Sequence, residues 1–273
     1  FSRAFGEWSG VKEIEAIANN AEPATFENTI VAMEKTGDLL GRSSGIFFNL
    51  SGSNSNADIL KIQAEISPKL AAHSDNINLN PTLFARVKAV YDNRASLNLD
   101  PESLRLTEVT YERFVRAGAL LNDEQKTQIR ALNEESSKLT TKFSQNLLQI
   151  TKDIAIFVDD KAKLAGFSEA EIAAAAEGAK AKGQDGKYVI EITNTTRQPA
   201  LAPLENRELR QKIWEASANR GTSGETDQQP IVARLAQLRA ERAKLLGFDN
   251  WATYQLEPTM AKTPKAVYDM LGS

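Results

Sequence analysis

From Ile129 to Ile150 an apolar residue returns every three or four positions: Ile129, Leu132, Leu139, Phe143, Leu147 and Ile150, with Ser136 in step between them. A period of this kind puts all of them on one face of a helix, and no strand pattern does so. The start is marked as well. Asn122 is followed three residues later by Gln125, a pair able to exchange side-chain and backbone hydrogen bonds at a helix N-terminus. A long helix with a narrow apolar seam needs neighbours to cover it, and the rest of the chain supplies candidates.

Before it, Val11, Ile14 and Ile17 predict a short amphipathic helix over 8–20, ended by Asn19, Asn20 and Pro23. From Thr25 a second helix is expected to run unbroken, with Phe26, Ile30, Met33, Gly37, Leu40, Ser44 and Phe47 as its seam. Gly37 and Ser44 on that seam suggest close approach of a neighbour. The polar run 51–56 ends it and offers Ser55 or Asn56 as the next cap. Ile59, Ile62, Ile66, Leu70, His73 and Ile77 form the stripe of a third helix, which Pro68 should kink. Asn80-Pro81 and Asp100-Pro101 start two more, because proline fits the first helical turn.

The pattern changes after 153. Residues 154–158, IAIFV, and 187–192, KYVIEI, are short and β-branched and read as strands able to form a small sheet. Ser168 with Glu171 caps an Ala-rich helix that Gly183 closes. Residues 198–219 return to helix, interrupted at Pro203 and capped by Asn206. Pro230 opens another, with Ile231, Leu235, Leu238 and Leu245 on one face and Gly247 as its left-handed end. The turn that follows carries Trp251, Tyr254 and Met260 and reads as a buried corner before a last helix at TPKAVYDML. The expected fold is mainly α: a multi-helix bundle or array with one small two-stranded β element near 154–158 and 187–192. The expected division is a helical bundle over 1–153 and a continuing helical region with the β element over 154–273.

Composition removes several function classes. Lys plus Arg at 33 against Asp plus Glu at 36 gives a net charge of −3, which makes no case for a nucleic-acid partner. No apolar run approaches the length of about 18 residues that a membrane span needs. There is no cysteine, hence no disulfide framework, a composition compatible with cytoplasm or periplasm; the cytoplasm is the expected compartment. Residues 1–10 lack the cationic and apolar regions of a signal peptide. P-loop, G-x-S-x-G and G-x-G-x-x-G motifs are absent. The neighbouring carboxylates Asp159-Asp160, Glu134-Glu135 and Glu169/Glu171 fall on a strand end, solvated faces and a helix start, where acids serve the helix dipole rather than catalysis. Arg105, Arg113 and Arg116 read as a solvated face.

Four stretches carry a resemblance: TFENTIVAMEKTG at 25–37, FFNLSGSNSN at 47–56, RQPALAPLENRELRQKIWEASANRG at 197–221, and LRAERAKLLGFDNWATYQLEPTMAKTPKAV at 238–267. In this order they resemble the N-terminal portion of thimet-oligopeptidase-like zinc metallopeptidases, the bacterial peptidyl-dipeptidases most of all. The resemblance implies a helical lobe flanking a channel for short peptides, a zinc ion in the full-length family member, and a C-terminal catalytic half as partner. It also implies that the chain alone is inactive. The family's zinc site is an H-E-x-x-H helix, and the single histidine here, His73, sits in AAHSD on an apolar stripe, where a structural role is expected. No catalytic and no metal-binding residue is assigned. The loop residues Asn194, Thr196 and Arg197 are the candidates for the channel wall, with an ordinary polar connection as the competing reading. An oligopeptidase A-like endopeptidase is the alternative specificity. A stand-alone helical scaffold is the alternative class; the severed half, unlike the scaffold, is expected to self-associate or bind its other half.

Overall fold

The computed structural model describes residues 10–193 and 195–272. Helices dominate, and the chain separates into two compact units. One runs to Thr141 and resumes at Leu235; the other is Lys142–Arg234.

The first unit begins with α1, Val11–Ala18. A π-helical turn, Phe26–Val31, follows and runs into Ala32–Glu34. Then come α2 (Asp38–Ser53), α3 (Ala57–Asn78), α4 (Pro81–Asn93) and α5 (Pro101–Ala117). Caps set most starts as the sequence requires. Asn56 Oδ1 accepts from Ile59 N at 2.9 Å, Asn80 Oδ1 from Leu83 N at 3.0 Å, and Asp100 Oδ1 from Ser103 N at 3.1 Å. Asn122 and Gln125 exchange bonds of 3.1 and 2.8 Å and open α6, Asp123–Asp153. Pro68 lies inside α3 without ending it.

One expected helix is two. The seam from Phe26 to Phe47 breaks at Gly37, whose φ of 71° makes it the left-handed N-cap of α2. Gly37 also sits against Gly10, where an added Cβ would meet Gly37 N at 2.9 Å. The close approach inferred from Gly37 is therefore a contact between two turns, not between helix faces. Beyond the break, Leu39, Ile46 and Leu50 are exposed.

The core of this unit gathers Ile14, Ile17, Ile30, Met33, Leu83, Phe84, Val87, Val90 and Phe114 from α1, the 26–34 segment, α4 and α5. Phe84 and Phe114 stack at 6.0 Å between ring centroids. Buried Arg86 ties the α1 exit to α4. Its Nη1 donates to Asn20 O (2.8 Å) and Glu22 O (2.9 Å), and its Nη2 to Asn28 Oδ1 (2.9 Å). The segment after Leu235 adds the end of α9 (Gln229–Leu245), then α10 (Trp251–Leu256) and α11 (Pro264–Leu271). Gly247, at φ 83°, closes α9, and Phe248 N donates back to Ala243 O at 2.9 Å.

In the second unit β1 (Ile156–Val158) pairs antiparallel with β2 (Tyr188–Ile190), Phe157 opposite Val189. The Ser168–Glu171 capping box opens α7, Glu169–Ala181, which covers the sheet. A turn of helix, Arg197–Leu201, and α8, Arg207–Ala218, complete the unit. Val158, Leu164, Ile172, Ile190, Ile192, Leu204, Leu209 and Ile213 form its core. Among the described residues no helix is long and apolar enough to cross a membrane.

Candidate functional site

Within the first unit, α3, α5, α6, the end of α9 and α10 enclose one side of an open cavity of about 750 Å³. Every helix contributes polar side chains to its wall: Ser74 and Asp75 from α3, Glu112, Arg113 and Arg116 from α5, Asn133 and Ser136 from α6, Arg242 from α9, and Tyr254 from α10. Each helix brings its polar groups here because its apolar stripe is used elsewhere. On α5, Phe114 turns into the core while Arg113 and Arg116 face the cavity.

Tyr254 is the hub. It is buried, its hydroxyl donates to Arg116 O at 3.2 Å, and its carbonyl accepts from Arg116 Nη2 at 2.7 Å. The Arg116 guanidinium lies 4.3 Å above the centre of its ring and pairs with Glu257. Arg242 Nη2 reaches the Tyr254 hydroxyl at 3.5 Å, while its Nε is buried with no hydrogen-bond partner. The Tyr254 part of the expected corner is therefore buried. Met260 is not: it is fully exposed.

Asp75 is the buried acid of the wall, 8% exposed. Asn133 Nδ2 donates to its Oδ1 at 2.7 Å, which leaves Asn133 Oδ1 buried and unpartnered. Burial pushes the Asp75 carboxyl above the ordinary aspartate range; the Asn133 hydrogen bond and the charges of Arg130 and Arg242 pull it back without cancelling the effect. A carboxyl raised in this way holds its proton more tightly folded than unfolded. Its contribution therefore favours folding at acid pH and is lost as the pH climbs from the ordinary aspartate value towards the raised one. Asp75→Asn should accordingly stabilise the chain more at pH 7 than at pH 4. Urea unfolding at the two pH values measures this; equal effects at both would remove the argument.

Beside the cavity, Arg242 Nε–H and Asn133 Oδ1 are buried without a hydrogen-bond partner. Leaving such a group unpaired costs about 1–3 kcal/mol. No sequence pattern marks these positions: Asn133 sits beside Leu132 of the seam, and Asp75 lies off the stripe that runs through Ile66 and Ile77.

The sequence candidates lie elsewhere. Asn194 falls outside the described residues. Thr196 Oγ1 donates to Glu191 O and accepts from Thr193 N at 3.1 Å, closing its own loop. Arg197 Nη1 donates to Ser217 Oγ at 2.5 Å and so fastens that loop to α8. His73, half-buried on α3, lines a separate cavity of about 380 Å³ with Ile14, Glu15 and Arg130. The paired acids are engaged locally. Asp160 caps the turn at Ala162, Asp159 meets Lys187 at 3.3 Å, Glu134 meets Lys138 at 2.5 Å, and Glu171 belongs to its capping box. Among the described residues no group of three or more His, Cys, Asp or Glu is placed to hold a metal ion.

Known proteins match this chain along nearly its whole length. Residues 200–273 match the family described as peptidase family M3. Dipeptidyl carboxypeptidase of Escherichia coli (strain K12) is 43% identical over 95% of this chain, and that of Salmonella typhimurium is 44% identical over 95%. Oligopeptidase A of Salmonella typhimurium is 25% identical over 94%. The chain spans about 38% of the length of each of these relatives.

Proposed function

Since the chain belongs to peptidase family M3, we propose that it is the non-catalytic, helical part of a longer zinc-dependent peptidyl-dipeptidase. The carrying observation is the identity of 43% over 95% of the chain to a dipeptidyl carboxypeptidase, against 25% to an oligopeptidase A. The complete enzyme would release dipeptides from the C-termini of oligopeptides in the cytoplasm. In this reading the chain forms one wall of the peptide channel, and the polar loop carrying Thr196 and Arg197 faces it.

The residues of this chain do not fit a catalytic zinc site. One histidine is present in the sequence, and among the described residues no three His, Cys, Asp or Glu side chains gather around a common point. Zinc and the hydrolytic step are accordingly assigned to the remaining length of the enzyme. The partner for that length is suggested by the end of the first unit. Met260, Tyr268, Met270 and Leu271 are all exposed, a dense set of large apolar side chains on one short segment.

The test is zinc content and product analysis. The purified chain should carry no stoichiometric zinc by elemental mass spectrometry and release no product from a pentapeptide. A longer polypeptide that includes it should bind zinc and release a C-terminal dipeptide. Internal cleavage by that polypeptide would favour the oligopeptidase A specificity instead.

A further inference from the structure

Asp75 is a buried acid held by one amide. Asn133 Nδ2 donates to its Oδ1 at 2.7 Å, and no other hydrogen bond or ion pair reaches its carboxyl among the described residues. The cations around it are engaged with other groups. Arg130 of α6 donates to Asn76 Oδ1 at 2.8 Å, Arg242 of α9 reaches the Tyr254 hydroxyl at 3.5 Å, and Arg116 of α5 pairs with Glu257. Glu112 and Arg113 of α5 and Tyr254 of α10 share the same wall, and Glu112 lies 3.7 Å from Arg105. The amide that serves Asp75 also carries an orphan: its own Oδ1 is buried without a donor. The oxygen and nitrogen of one amide lie about 2.2 Å apart, so this oxygen stands within about 5 Å of Asp75 Oδ1. A hydroxyl on that carboxyl is the donor it lacks.

We propose that Asp75 and Asn133 are a proton-binding pair that locks α3 to α6. With the proton bound, the carboxyl O–H donates to Asn133 Oδ1 while Asn133 Nδ2 donates to the other carboxyl oxygen. Acid and amide then satisfy each other through two hydrogen bonds. The proton comes from water, and no other bond forms or breaks. Once it is lost, one hydrogen bond remains and Asn133 Oδ1 is left buried and unpaired. The two helices are therefore joined twice at acid pH and once above the transition. Burial works in the same direction, because it disfavours the ionised carboxylate. This inference concerns the first unit and is independent of the reading of the chain as part of a peptidase.

Urea unfolding of the chain at pH 7 tests it, with Asp75→Asn, Asn133→Leu and the double variant. Asp75→Asn imitates the protonated acid, because the new side chain can donate an N–H to Asn133 Oδ1. The folded-to-unfolded ratio should therefore gain about tenfold more from Asp75→Asn with Asn133 present than in the Asn133→Leu background. A charge that is merely buried gives the opposite order. Removing Asn133 strips the carboxylate of its one donor, so Asp75→Asn would then help most in the Asn133→Leu background. That order, or equal gains, would overturn the proposal. If the Asn133→Leu variants do not fold, NMR of the unaltered chain decides. As the pH falls, the side-chain carbonyl carbon of Asn133 should move downfield with the same midpoint as the Asp75 carboxyl. Its Nδ2 protons should move upfield as their acceptor loses its charge. An Asn133 carbonyl that stays fixed through the Asp75 transition would equally overturn the proposal.

Discussion

Replacing Gly166 by alanine should cost the second unit about 4 kcal/mol or more, enough to unfold it under mild conditions. Gly166 has a φ of 97°, a conformation that side chains rarely adopt. The added Cβ would lie 1.8 Å from Pro203 O and 2.8 Å from Pro203 C. Those are backbone atoms, so no side-chain rotation relieves the clash. The approach is fixed from both sides: Glu205 N donates to Ala165 O at 2.9 Å, and Leu164 and Leu204 are both buried in the same core. Moving the main chain apart would withdraw those two leucines together. Amide hydrogen exchange should show the largest loss of protection in β1, β2 and α7. A change below about 1 kcal/mol would mean that the 203–205 segment moves freely and that the contact is incidental.

In the first unit the corresponding position is Phe114. Phe114→Ala should destabilise by about 3–5 kcal/mol, the range for a fully buried ring replaced by a methyl group. Its exposure is 0%, and Ile30, Leu83 and Val87 of the same cluster are equally enclosed, so the space cannot fill with water or collapse easily. The stacking with Phe84 at 6.0 Å is lost as well. Phe157 is the control: it is 38% exposed on the sheet, and its replacement by alanine should cost about 1 kcal/mol or less. Urea midpoints for the two variants measure the difference. Equal losses would show that burial in the described core does not govern stability.

The mainly helical fold with its small sheet was legible because its signals are local. Asn56, Asn80, Asp100, Asn122, Ser168 and Asn206 all cap the helices their spacing announced. The strands paired because two short β-branched runs flank one amphipathic helix. The failures have a common cause. An apolar repeat through Gly37 looked continuous, yet a heptad pattern does not register that one glycine has turned left-handed against Gly10. Met260 looked like core because it is apolar, whereas its exposure depends on what packs across it.

The cavity was invisible for a stronger reason. Asp75, Asn133 and Arg242 come from helices far apart in sequence, and each is unremarked in its own pattern. What distinguishes Asn133 and Arg242 is an unmet hydrogen-bonding group in a buried place, a property of the assembled unit only. The short loop offered as a channel candidate was singled out by its composition alone; its Thr196 and Arg197 bond to Glu191 and Ser217.

The most direct test of the account is reconstitution. The chain is mixed with a separately produced polypeptide covering the remaining length of the E. coli dipeptidyl carboxypeptidase, zinc is supplied, and dipeptide release from a pentapeptide is followed by mass spectrometry. The account predicts no release by either polypeptide alone and C-terminal dipeptide release by the mixture. Dipeptide release by this chain alone would contradict it, since catalysis would then reside in residues assigned here to caps, ion pairs and the wall of a cavity.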